Sequence, residues 1–217
     1  MRAIVVALLV WLMALPALAA ERVILVLGDS LSAAYGLPEQ AGWVALLQAR
    51  LRAERLPYRV VNASMSGETS AGGAARIDAL MRTHRPAVVI VALGGNDGLR
   101  GLPVAQLRTN LGRILRSIRA GGARAVLVGM RMPPNLGPDY TAAFAAVYAE
   151  LARTHRVARV PFLLEGFADR PEYFQPDGIH PTAAAQPLML EQVWRVLTPL
   201  LQRSANSSTR PLIGEKP

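Results

Sequence analysis

Short apolar runs alternate with helix-period patterns along most of this chain. Residues 23–27 are five apolar positions in a row stopped by Gly28, the mark of a strand buried on both faces. Residues 42–55 place Trp43, Leu46, Leu47 and Leu51 at helical spacing. A second strand is predicted over 58–61, after Pro57. A helix follows over 70–83, with Ile77, Leu80 and Met81 on one side. The third strand, 87–93, is entered through Pro86 and ended by Gly94-Gly95. A helix over 104–120 stops at Gly121-Gly122. Then come a strand at 125–128, a helix at 140–155 and a shorter fifth strand at 157–162. Thr182 is expected to cap the last helix, which runs through Leu188, Leu190, Val193 and Leu197 to about Leu201, with its first turns bent at Pro187.

Strands alternating with helices of this length predict a parallel sheet covered on both faces, an α/β fold of three layers, α/β/α. Neither an internal repeat nor an interdomain linker interrupts it, so 20–202 is expected to be a single domain. From Ser204 the chain turns polar and contains proline; 203–217 is expected to be a flexible tail. The 217 residues suffice for one core of ordinary size, and 52% hydrophobic against 18% charged excludes intrinsic disorder of the body.

The N-terminus changes the picture of where the protein works. Met1-Arg2 precedes an apolar run over 3–15, Pro16 breaks it, and Ala17-Leu18-Ala19 is a small-x-small cleavage site. The run is well short of the roughly 20 residues that span a bilayer. Residues 1–19 are therefore expected to be a signal peptide cleaved between Ala19 and Ala20, leaving a periplasmic or secreted protein without stable membrane insertion. Cysteine is absent, which removes disulfides, thiolate metal sites, a cysteine nucleophile and a lipidated N-terminal cysteine together. The formal charge of +9 falls to +8 on cleavage, and Lys216 is the lone lysine. The arginines stand singly on helix faces with no aromatic stripe between them. A generally basic, solvated surface is predicted, with no nucleic-acid partner.

In open parallel sheets, sites form where strands end and loops lead into helices. Here those loops are unusually polar: Gly28-Asp29-Ser30-Leu31-Ser32 after the first strand, 62–69 after the second, Gly94 to Gly98 after the third, and Pro176 to Pro181 after the fifth. Together they hold the parts of an acyl-transfer site. A serine hydroxyl is a poor nucleophile unless a base stands within hydrogen-bond reach. His180 is the candidate, because His84 and His155 sit beside arginines at helix ends. Asp177, three residues earlier, is close enough to orient the second ring nitrogen. The N–H groups of Ser30 and Gly67 and the side-chain amide of Asn96 are candidate donors for an oxyanion. Singly, each glycine or Asp-Gly pair reads as an ordinary turn; their joint appearance on successive strand ends carries the argument.

Four blocks in order, Ser30 in Gly-Asp-Ser-Leu, Gly67 in Ser-Gly-Glu-Thr, Asn96 in Gly-Gly-Asn-Asp and His180 in Asp-Gly-Ile-His-Pro, resemble the SGNH, or GDSL, hydrolases over residues 21–202. Ala34-Tyr35-Gly36-Leu37 and residues 94–102 are similar to the bacterial periplasmic arylesterase, acyl-CoA thioesterase I and lysophospholipase branch. The resemblance implies a flavodoxin-like sheet of about five parallel strands. It also implies a serine esterase or thioesterase that needs no metal and no cofactor and works through an acyl-enzyme on Ser30. The implied substrate is a small acyl ester or thioester, with aryl esters and lysophospholipids within range.

The substrate pocket is expected from loops 97–103 and 130–140, with Leu31, Leu99, Leu102, Met132, Pro133, Leu136 and Ile179 lining it. Arg100 and Arg131 are candidates to meet a phosphate of coenzyme A or a lysophospholipid. Surface contact with lipid and a monomeric state are expected. Three rivals remain. A metal-dependent phosphoesterase needs a histidine and carboxylate cluster, and the loops offer only His180. An exported binding protein would share the fold without the chemistry. Within the esterases, a carbohydrate or cell-wall O-acetyl esterase is the nearest competitor. Gly-x-Ser-x-Gly is missing, which excludes an α/β-hydrolase elbow as the source of the serine.

Overall fold

The computed structural model describes residues 21–208, with side chains through Gln202. Five strands, β1 (Arg22–Gly28), β2 (Tyr58–Asn62), β3 (Val88–Ala92), β4 (Arg124–Val128) and β5 (Ala158–Val160), pair in the order β2-β1-β3-β4-β5. Every pairing is parallel, with Ile24 opposite both Val60 and Val88. Six helices connect and cover them: α1 (Trp43–Ala53), α2 (Ser70–His84), α3 (Gly95–Leu99), α4 (Val104–Ala120), α5 (Pro138–His155) and α6 (Gln186–Ser208).

The unbroken apolar strands follow from burial on both faces. Ile24, Val26, Val88, Ile90, Val126 and Val128 point into one core with Trp43, Leu47 and Val193 of α1 and α6. Their alternates Leu25, Leu27, Val89, Val91 and Leu127 point into a second core with Ile77, Ile114 and Phe144 of α2, α4 and α5. α1 therefore packs on α6 on one side, and α4 lies between α2 and α5 on the other. The chain leaves β1 toward β2 in one direction and reaches β3 in the other. The crevice between β1 and β3 is thus the switch point where open α/β sheets bind ligands.

Several boundaries differ from the pattern-based expectation, each for a local reason. Residues 95–99, read as loop from Gly-Asn-Asp-Gly, form the single-turn α3. Pro138 opens α5 two residues earlier than expected, since proline at a first helical position loses no hydrogen bond. Thr182 is not the cap of α6. Its hydroxyl donates to Tyr173 O at 3.2 Å, and a 3-10 turn, Ala183–Ala185, comes before the helix. Pro187 is the second residue of α6, where no intrahelical N–H bond exists to break; the interior proline is Pro199. α6 is described through Ser208, past Leu201; residues 209–217 of the expected tail and the expected signal segment lie outside the described residues.

The segment 161–185 was not legible as an element. It leaves β5 at one edge of the sheet and returns to α6, which packs on α1 beside β1, so it crosses the carboxyl ends of the strands as a strap. Phe167 stacks on Tyr173 and Phe174, with ring centroids 5.6 and 6.0 Å apart. A Phe174–Pro181 bridge and the Gln175 N–H donating to His180 O at 2.8 Å close the strap's far end.

Candidate active site

β1 ends in a tight turn built on Asp29. Its backbone carbonyl accepts from the N–H of Ser32 and Ala33, and its carboxylate Oδ1 accepts from the Leu31 N–H at 3.0 Å. This double use of one residue fixes the turn that carries Ser30 out of the sheet edge. The Asp29 carboxyl is buried, only 2% exposed, and loss of hydration pushes its pKa up to about 6, against the pull of the Leu31 N–H and the nearby His180.

The strap delivers His180 to Ser30. His180 Nδ1 lies 2.7 Å from Asp177 Oδ2, and Nε2 lies 2.9 Å from Ser30 Oγ. An ionised carboxylate only accepts, so Nδ1 carries the proton and Nε2 faces the serine with its lone pair. Asp177 Oδ1 accepts from the backbone N–H of both His180 and Ile179 at 2.9 Å. These backbone bonds, the His180 N–H first, and the ring N–H hold the Asp177 carboxyl down at about 2, so it stays an anion throughout the working range. The ring of Tyr35 lies against His180, centroids 4.3 Å apart, and Gln175 Nε2 bonds the Tyr35 carbonyl at 2.8 Å.

The other two loops border the same crevice. Gly67 has φ +79°, a left-handed conformation that side chains resist. Its carbonyl accepts from Arg100 Nη2 at 3.0 Å. Asn96, the second residue of α3, donates from Nδ2 to Glu68 O at 3.0 Å, which ties the β2 and β3 loops together. The N–H groups of Ser30 and Gly67 make no hydrogen bond among the described residues, and neither does the second amide hydrogen of Asn96. Below them Asp97 is buried and accepts from Ser70 N at 2.8 Å and Ser70 Oγ at 2.5 Å; Asn110 Nδ2 also bonds that hydroxyl at 3.0 Å. Gly94 precedes with φ +118°, and a Cβ there would lie 2.0 Å from the hydroxyl of Tyr148, which bonds Leu93 O at 2.9 Å.

The structure thus brings Ser30, His180 and Asp177 into one hydrogen-bonded line. Sequence reasoning missed Tyr35, Arg100, Asp97 and Ser70 as supports of this site. Tyr35 and Asp97 lay within quoted blocks and Arg100 was given a different role, whereas Ser70 carries no signal short of tertiary contact. Of the residues expected in the pocket, Leu31 and Met132 turn inward and belong to the core, because an apolar side chain beside a strand end finds more burial there. Leu99, Leu136, Ile179 and Pro133 are exposed, and Leu102 is half-buried. Tyr35, Met65, Leu99, Leu136 and Ile179 are the exposed large apolar side chains of the described residues, and all five stand in the segments that follow strands at this edge of the sheet, Leu99 at the end of α3 and Leu136 at the end of a 3-10 turn. Arg131 is not free to meet a phosphate: it pairs with Glu165 at 3.1 Å and lies over Phe162. No three histidine, aspartate or glutamate side chains gather as a metal-ligand set among the described residues.

A parallel α/β sheet whose carboxyl edge presents a hydrogen-bonded Ser–His–Asp line is the architecture of a serine hydrolase. The chain belongs to the GDSL-like lipase/acylhydrolase family, whose profile matches residues 26–187. It is 54% identical over 183 residues to esterase TesA of Pseudomonas aeruginosa, covering 84% of this chain and 91% of that protein. It is 42% identical over 187 residues to thioesterase 1/protease 1/lysophospholipase L1 of Escherichia coli K12, covering 86% of this chain and 88% of that one. Among solved structures, a psychrotrophic esterase EstA from Pseudoalteromonas, inhibited by monoethylphosphonate, superposes with a TM-score of 0.80 at 38% identity, over 84% of this chain and all of the other. The protein is an enzyme of the ester-hydrolase class, and the reading as a binding protein falls away.

Proposed function

We propose that this enzyme hydrolyses aryl esters, acyl thioesters and lysophospholipids through an acyl-enzyme on Ser30. The observation that carries the reading is the line from Asp177 through His180 to Ser30 Oγ, 2.7 and 2.9 Å. Ser30 Oγ attacks the acyl carbonyl while His180 Nε2 takes its proton, and Asp177 holds the imidazolium that results. The negative oxygen of the tetrahedral intermediate meets the N–H groups of Ser30 and Gly67 and the amide of Asn96. Collapse breaks the bond to the alcohol or thiol, which leaves with the proton from His180. Water then gives its proton to the same nitrogen and attacks the acyl-enzyme, and the acid departs as Ser30 recovers its hydrogen.

The apolar rim of Tyr35, Met65, Leu99, Leu136 and Ile179 supports acyl or aryl groups larger than acetyl, and it is the surface through which contact with lipid is expected. A carbohydrate deacetylase has no use for such a rim. The expected setting is the periplasm or the exterior of the cell, reached by cleavage after Ala19, as a monomer; N-terminal sequencing of the exported protein and its sedimentation test these two points.

Intact-mass spectrometry after treatment with an organophosphonate ester tests the mechanism. One adduct on the wild type and none on Ser30→Ala is expected. No adduct on either protein, or one on both, removes Ser30 as the nucleophile. A p-nitrophenyl ester series from acetate to decanoate then tests the acyl preference, and activity confined to acetate would refute it.

A further inference from the structure

At the opposite edge of the sheet, where the strands begin and the helices end, lies a cavity of about 330 Å3. Its cationic wall is Arg119 from the last turn of α4, Arg124 at the start of β4, and His155 and Arg156 from the end of α5. Its floor is apolar, with Leu115, Ile118 and Val157. No carboxylate lines it among the described residues. Arg119 and Arg156 are exposed and form no ion pair among the described residues, whereas Arg108 and Arg113, on the same helix as Arg119, pair with Glu150 and Asp78. Arg156 is held at φ 54°, a left-handed position where glycine or asparagine sits at ease.

The carboxyl ends of α4 and α5 close on this cavity, and each offsets about half an elementary charge. The guanidiniums of Arg119 and Arg156 alone exceed that, Arg124 being bonded to the Leu200 carbonyl, and the surplus is felt locally. Burial first, then Arg116 and Arg119, hold the His155 imidazole below its usual value. A set of cations kept together around an apolar floor is stabilised by an anion with an apolar body. Phosphate, with up to two charges and several oxygens, matches converging arginines better than a carboxylate does.

We propose that this cavity, between the ends of α4 and α5, binds a phosphate ester bearing an apolar substituent, whether free or as the headgroup of an anionic lipid. Such a ligand would sit across the sheet from Ser30, so a lipid surface bound there would leave the catalytic edge facing solvent.

The test uses full-length protein phosphonylated on Ser30, so that the catalytic crevice is closed. Octyl phosphate and octyl glucoside are titrated by calorimetry, and the His155 ring protons are followed by NMR. Octyl phosphate is expected to bind at least roughly tenfold more tightly than the glucoside, to weaken with salt, and to shift the His155 titration upward. Arg119→Glu/Arg156→Glu should abolish binding at an unchanged melting temperature, and Arg108→Glu should leave it intact. Co-sedimentation with phosphatidylglycerol against phosphatidylcholine vesicles separates the lipid source from the free ester. Equal binding of the two octyl compounds, or retention by the double variant, overturns the proposal. So does binding that appears only after residues 209–217 are deleted, because the cavity then belongs to the chain's own tail.

Discussion

Replacing Asp29 by asparagine tests whether a buried carboxyl under the nucleophile sets the pH dependence of stability. Asparagine keeps the Oδ1 that accepts from the Leu31 N–H, so the turn carrying Ser30 survives. The folded-state value of about 6 stands above the 3.8 of an unburied aspartate. A raised value means that the wild type is best served below pH 3.8 and loses stability as pH rises through about 6. A rise from 3.8 to about 6 corresponds to about 3 kcal/mol when titration is complete. Between pH 4 and 8 the wild type should lose about 2 kcal/mol that the variant does not lose. For a protein of this size that is a relative gain in melting temperature of about 4–8 °C for the variant across the range. Differential scanning calorimetry of both proteins at half-unit steps isolates Asp29 together with the charges it interacts with, because groups away from it titrate alike in the two. A difference in melting temperature that stays flat from pH 4 to 8, or that shrinks toward pH 8, refutes the argument.

Three further outcomes are expected. Asp177→Asn should lower kcat by about 10⁴ by favouring the wrong imidazole tautomer, with little change in melting temperature; a loss below tenfold in single-turnover assays would remove its orienting role. Asn96→Ala should cost about 10²–10³ in kcat with KM little changed, and an unaltered kcat would make its bond to Glu68 O its whole purpose. Asp97→Ala leaves the buried N–H and hydroxyl of Ser70 without their acceptor and should destabilise by about 2–3 kcal/mol in urea unfolding; a near-wild-type midpoint would mean that these two donors find another acceptor, since Asn110 only donates to Ser70.

What could be read without coordinates follows from how local each signal is. Five strands and the longer helices were legible because burial on both sheet faces writes itself as unbroken apolar runs, and Ser30, Gly67 and Asn96 because they fall in the loops after strands; Asp177 and His180 lie on the strap instead, legible as an Asp-x-x-His pair. The strap over 161–185 has no period to read: its order comes from Phe167 packing on Tyr173 and Phe174 and from hydrogen bonds to backbone. The burial of Leu31 and Met132 was not legible because an apolar residue in a loop does not announce which way it faces. Arg100 was read as a phosphate contact, yet it spends its guanidinium on Gly67 O, 33 residues away in sequence. Such a bond to main chain leaves no trace in the composition of either segment.

The spacing of the catalytic line also bears on how the enzyme becomes active. Asp177 and His180 are three residues apart and form one turn by themselves, whereas His180 and Ser30 are separated by 150 residues. Their meeting waits on β1, on β5 and on the docking of α6 against α1, contacts that are slow to close because they span most of the chain. During refolding, turnover should therefore return later than helical circular dichroism, with the rate at which the strap anneals. A newly made chain would be harmless to its surroundings until its last helix has arrived, so catalytic competence is a signal that folding is complete.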